Sequence, residues 1–122
     1  MAAEMPVQVQ AVEGAVVVDF PWAAASSAVA TLNAAVAALG PQLDARGSMR
    51  PALVDWQGAY RDEFDAGLAR ITSTAHDTKE AMARMASSIV SGAESANEEQ
   101  RTNNARAAEP RVPVGGGRQV PV

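Results

Sequence analysis

The sequence predicts an all-α protein folded as an antiparallel helix-turn-helix hairpin, with pairing into a four-helix bundle as the expected assembly. Three observations carry this. In two long stretches the larger apolar side chains recur at alternating three- and four-residue spacings, the pattern of a helix seam in a coiled-coil-like bundle. Between the stretches lies Trp56-Gln57-Gly58, whose glycine suits a chain reversal. The composition is 48% apolar but only 4% aromatic, with alanine the commonest apolar residue, so the apolar area comes from methyl groups and a few Leu, Ile, Val and Met. Small domains bury a limited share of their surface, and a lone globule of this composition would be thinly stabilised; long helices that share faces use such side chains better.

Residues 1–19 read as an extended N-terminal arm. Val16-Val17-Val18 has strand propensity, with no partner strand other than a poor one at Val7-Gln8-Val9. Asp19-Phe20-Pro21 then reads as a helix start, because Asp caps free amides and Pro is tolerated in the first turn. The first seam runs Trp22, Ala25, Val29, Leu32, Val36, Leu39, Leu43. Its other faces are built of small residues such as Ala24, Ala28, Ala30, Ala34, Ala35, Ala37 and Ala38, and no charge occurs between Asp19 and Asp44. A helix that is apolar or neutral all round expects cover all round, which one hairpin mate cannot supply. Gly40-Pro41 is expected to kink or break this helix, since Pro lacks the amide donor, and Pro51 is expected to open a short restart that carries Leu53 and Trp56.

The second helix is expected from Ala59, with Asp62, Glu63 and Asp65 offsetting the positive end of its dipole. Its seam reads Phe64, Leu68, Ile71, Ala75, Thr78, Met82, Met85, Ile89, Gly92, Ala96, opposite a wet face that includes His76, Asp77 and Glu80. Past Ala96 the apolar seam fades, and Asn103-Asn104 predict fraying. The hairpin is therefore bounded at 20–106, followed by a disordered Pro/Gly-rich tail at 107–122. Arm and tail are both expected to be unprotected in hydrogen exchange.

Composition also removes whole classes of chemistry. Without cysteine there is no disulfide, thiolate nucleophile or Cys-ligated metal. One histidine, His76, cannot build a His-rich metal site, and the net charge of -4 has the wrong sign for phosphate neutralisation. Asp62, Glu63 and Asp65 splay around one helical turn instead of converging as oxygen ligands must. Neither a membrane span nor a signal peptide is expected from the uncharged stretch. It carries Ser26, Ser27, Thr31, Asn33 and Gln42, and acidic residues instead of basic ones precede it. No cofactor, metal or catalytic residue is predicted.

With Trp56 and Gly58 at the turn between two heptad helices, the chain resembles the WXG family, the early secretory antigenic target-like hairpins exported by type VII (ESX) secretion in actinobacteria and other Gram-positive bacteria. The resemblance spans Trp22 to Arg106. It implies a secreted or cell-envelope protein, cytoplasmic before export, that forms a homodimer or pairs with a sibling, with a secretion ATPase or toxin leader as further partners. The family's export signal, Tyr followed four positions later by Asp or Glu, is replaced here by Ser95 and Glu99. The only tyrosine, Tyr60, sits beside the turn.

These readings combine into one expectation: a non-enzymatic type VII secretion substrate, or the partner of one, that works by bundle formation. Its partner-binding face comprises Trp22, Ala28, Val29, Leu32, Ala35, Val36 and Leu39. Its hairpin core comprises Phe64, Leu68, Ile71, Met82, Met85 and Ile89. The alternative is a cytoplasmic helical adaptor that masks the leader of a toxin or effector.

Overall fold

A computed structural model describes residues 2–52 and 58–110. Among these residues the chain is a helical hairpin of α1 (Trp22–Ala52) and α2 (Ala59–Ala108), with no strand. Trp56, and with it the tryptophan of the turn motif, lies outside the described residues. Two residues on, Gly58 has φ +105°, a conformation that glycine adopts freely, and the first α2 bond runs from the Asp62 N–H to the Gly58 carbonyl at 3.1 Å.

The first helix is longer and less interrupted than its sequence suggests. α1 continues through Gly40-Pro41 and Gly47 to Ala52, so Pro41 does not end it and Pro51 lies in its last turn. It begins one residue after Pro21, whose carbonyl accepts the Ala25 N–H at 2.8 Å, which makes Pro21 the capping position in place of Asp19. The expected seam of α1 is the face it buries. Ala25, Val29 and Leu43 are buried, and Trp22, Leu32, Val36 and Leu39 are half-buried.

The seam of α2 requires a correction. A line of covered positions runs Arg61, Asp65, Leu68, Thr72, Ala75, Lys79, Met82, Ala86, Ile89, Ala93, Ala96, Gln100, Asn103, Ala107, an unbroken alternation of four and three, with Phe64, Gly92, Asn97 and Asn104 covered beside it. Every second position of the expected seam, from Leu68 through Ala75, Met82 and Ile89 to Ala96, is correct. Of the intervening positions, Phe64 and Gly92 are half-buried as expected, whereas Ile71, Thr78 and Met85 give way to Thr72, Lys79 and Ala86, one residue on. Ala86 and Ala93 are fully buried, while Ile71 and Met85, expected in the core, are 54% and 55% exposed. Ala86 and Ala93 put small side chains at the contact among the larger Leu68, Met82 and Ile89, while Ile71 and Met85 lie outside it.

At about 1.5 Å per residue, the 31 residues of α1 and 50 of α2 give rods of about 46 and 75 Å. The antiparallel overlap is read from shared grooves: Asn33 and Val36 face Lys79 and Ala83, and Leu39 faces Ile71 and Ala75. At the start of α1 the Phe20 ring lies against Gly92, where an added Cβ would meet it at 3.5 Å. Residues 93–108 of α2 therefore project past α1. They do not fray: the helix holds to Ala108, and the Glu109 N–H closes it on the Arg106 carbonyl.

What covers this projecting third is the N-terminal arm. Residues 2–12 run along the hairpin toward the far end of α2, and the chain turns at Glu13-Gly14, where Gly14 has φ +86° and the Ala15 N–H reaches the Val12 carbonyl at 3.0 Å. Residues 16–20 then return to the start of α1. The arm is extended, as its sequence predicts, but it is fastened down.

Candidate functional site

Two places on this scaffold have the makings of a binding surface. The first is the outer face of α1. Ala23, Ala24, Ser27, Ala30, Ala34, Ala37 and Ala38 are exposed, and the face carries no charge. The Trp22–Ala45 stretch is long and apolar enough to cross a membrane by length and composition, yet only 11% of its most apolar window is buried inside the chain. The expected partner face needs redrawing on this geometry. Val29 is 3% exposed and belongs to the chain's own interior. Trp22, Leu32, Val36 and Leu39 lie half-buried on the same inward seam, and Ala28 and Ala35 sit half-buried at its margin.

The second place is the fastening of the arm, which went unrecognised in the sequence. On α2, Asn97 and Gln100 are polar and yet only 2% and 4% exposed. Each uses its carboxamide as a peptide group would. Asn97 accepts the Val9 N–H at 2.7 Å and donates to the Val7 carbonyl at 2.9 Å. Gln100 accepts the Val18 N–H at 2.9 Å and donates to the Val16 carbonyl at 3.0 Å. Asn104 repeats the pattern with Val12 and Gln10, at 3.1 and 2.9 Å. In all three the arm offers a carbonyl and an N–H two residues apart, the pair that a neighbouring β-strand would take.

The clamp is closed internally as well. Gln100 donates its second N–H to Asn104 Oδ1 at 3.1 Å, Asn103 donates to the Val16 carbonyl at 3.0 Å, and on α1 Asn33 grips both the N–H and the carbonyl of Ala3. Buried polar groups must find partners, and here the side chain of Gln100 satisfies all of its donors. Of the backbone bonds outside the helices among the described residues, none joins limb to limb except the Ala15 turn bond. The two limbs do not form a β-hairpin; the α2 carboxamides stand where a partner strand would.

A signal for the clamp was present in the sequence. Seam spacing places Ala93, Ala96, Gln100, Asn103 and Ala107 in line with the core of the hairpin, and the residues around them on other faces, Glu94, Glu98, Glu99 and Arg101, are charged and exposed. Uncharged carboxamides kept on a seam amid charged neighbours indicate an interior role.

The remaining singled-out residues sit apart from both places. His76, Asp62, Glu63, Ser95 and Glu99 are exposed, as is Tyr60. Asp65 takes the Arg61 Nε at 3.1 Å, an ion pair one helical turn apart. Phe64, Leu68, Met82 and Ile89 are half-buried. No group of three or more His, Asp or Glu side chains that could hold a metal converges among the described residues.

The geometry thus defines a class, a two-helix hairpin with its projecting helix end wrapped by an extended arm. The chain matches no protein-family model, no curated protein and no solved structure.

Proposed function

We propose that this protein is a non-enzymatic helical-hairpin substrate of type VII (ESX-like) secretion, or the hairpin partner of such a substrate, and that it works by laying the outer face of α1 against a second hairpin. The observation that carries the pairing is the face itself: an uncharged stripe of alanine and serine along α1, left open by α2. Small side chains allow a further helix to approach closely, and the absence of charge removes the desolvation penalty that excludes most surface helices from a dry interface. The secretion context rests on the resemblance around Trp56 and Gly58 and on the hairpin architecture.

Serine at position 95 lacks the apolar area of an aromatic ring, so export is assigned to the pair, with the signal supplied by the partner. The test is co-purification from the native cell with mass measurement of the intact complex, repeated with Ala30→Glu and Ala34→Glu. Both positions are exposed in the single hairpin, so its helicity should persist while the complex dissociates. A complex that tolerates both charges would remove α1 from the interface. Efficient export of the unmodified chain after deletion of every sibling would defeat partner-dependent secretion, and retention inside the cell with all siblings present would favour an adaptor role.

A further inference from the structure

We infer that the C-terminal third of α2 is an acceptor site for an extended polypeptide segment presented by another chain, and that the arm is its resident occupant. This inference is independent of the secretion reading. The site is defined by what it already holds. Asn97, Gln100 and Asn104 each bind a carbonyl and an N–H two residues apart, so recognition runs through main-chain groups that every non-proline segment possesses. Many of the occupant's side chains point away, with Val7 90% exposed, Val16 72% and Val17 69%, while Val9 and Val18 are half-buried. A site that reads backbone in this way does not distinguish its own arm from another extended segment of similar pattern, except by tethering.

The seat is also built to be filled. The arm is bonded directly to the buried Asn97 and Gln100, and Ala93 and Ala96 are buried apolar neighbours of theirs on α2. With the arm lifted, these carboxamides face open solvent in line with the seam that α1 occupies further down. The fitting partner is an extended segment, free of proline at the donor positions, with small or β-branched residues and a turn in the middle. Its affinity comes from paired main-chain hydrogen bonds, as when a peptide adds to the edge of a sheet. The tether favours the arm, because a linked segment competes at an effective concentration of about millimolar. The site therefore opens to a second chain when the arm loosens.

The test uses the full chain carrying Val9→Pro and Val18→Pro, which removes the N–H donors to Asn97 and Gln100 and keeps apolar side chains in an extended segment. The probe is a fluorescent synthetic peptide of residues 2–20 with the native sequence. The variant should bind it one to one and about tenfold or more tightly than the unmodified chain does, and amides 93–100 of α2 should regain slow hydrogen exchange on binding. A peptide with the same two prolines should not bind, and adding Asn97→Leu to the variant should weaken binding by about tenfold. If the arm amides of the variant stay protected, adding Gly14→Val frees the return limb, because a branched side chain is strained at that φ. A chain with a freely exchanging arm that ignores the peptide, or binding that survives Asn97→Leu, would overturn the inference.

Discussion

The two ends of α2 solve the same problem with different chemistry. Along its first two thirds, α2 covers its seam with another helix, through Leu68, Met82, Ala86 and Ile89 against the Ala25–Leu43 face of α1. Helix-on-helix contact needs no hydrogen bonds across the interface, because each backbone is already satisfied within its own helix. Along the last third the cover is an extended chain whose N–H and carbonyl groups are taken by α2 side chains, since no helix of its own or partner strand takes them. Apolar seam residues there would bury those groups without partners, at about 1–3 kcal/mol each. The seam accordingly changes from Leu, Met and Ile to Asn and Gln where the covering element changes from helix to strand-like arm. The nature of the cover dictates the chemistry of the seam.

That contrast predicts how each region breaks. The largest effect is expected in the paired region: Ala86→Asp puts a carboxylate at a fully buried contact, with a desolvation penalty of several kcal/mol. Thermal melting followed by circular dichroism should show the whole hairpin lost or converted to a loose state. A well-folded Ala86→Asp protein would mean the two helices are not closely packed there.

In the wrapped region the damage should stay local. Asn97→Ala orphans the Val9 N–H and the Val7 carbonyl and should destabilise arm docking by about 1–3 kcal/mol. Hydrogen exchange should speed up at Val9 and along residues 93–107 while amides near Met82 remain slow. If instead both regions exchange together, α2 is a single cooperative unit and the division drawn between its ends is wrong.

The turn of the arm should respond more weakly. Gly14→Val forces a branched side chain to φ +86°, with a cost of about 1–2 kcal/mol, and should raise exchange at Val12 and Val18 with little change in the melting of α1 and α2. The smallest effects are expected at Ile71→Ala and Met85→Ala. Both side chains are more than half exposed, so each should shift the stability of the single hairpin by no more than about 0.5 kcal/mol. A loss of about 2–5 kcal/mol, the range for emptying a core site, would restore them to the seam.

Those last two residues show how far the sequence could be read. The seam of α1 was legible because its large side chains, Trp22, Val29, Leu32 and Leu39, are also its inward ones. In α2 size misled: Ile71 and Met85 outrank Thr72 and Ala86 in apolar area, yet Thr72 and Ala86 are the covered residues. Pro41 was read from its missing donor, whereas in the structure α1 continues through it. The arm was legible as extended but not as docked, because its fastening depends on residues some ninety positions away, Val9 with Asn97 and Val12 with Asn104, and no local pattern connects them. Asn103-Asn104 looked like a fraying end because asparagine is a poor helix former; the arm supplies the tertiary contacts that outweigh that preference.

Fastening by main chain also moves the mutational constraint from one partner to the other. Val7, Gln8, Gln10, Ala11, Val16 and Val17 are exposed, and their side chains are free to drift over generations without loosening the arm, as long as proline stays out of positions 9, 12 and 18. Asn97, Gln100 and Asn104 have no such latitude, since shortening any one to alanine, or exchanging its amide for a carboxylate, removes a donor. Lineages that share this architecture would keep three carboxamides on and beside the seam of the second helix while the arms they hold diverge beyond recognition.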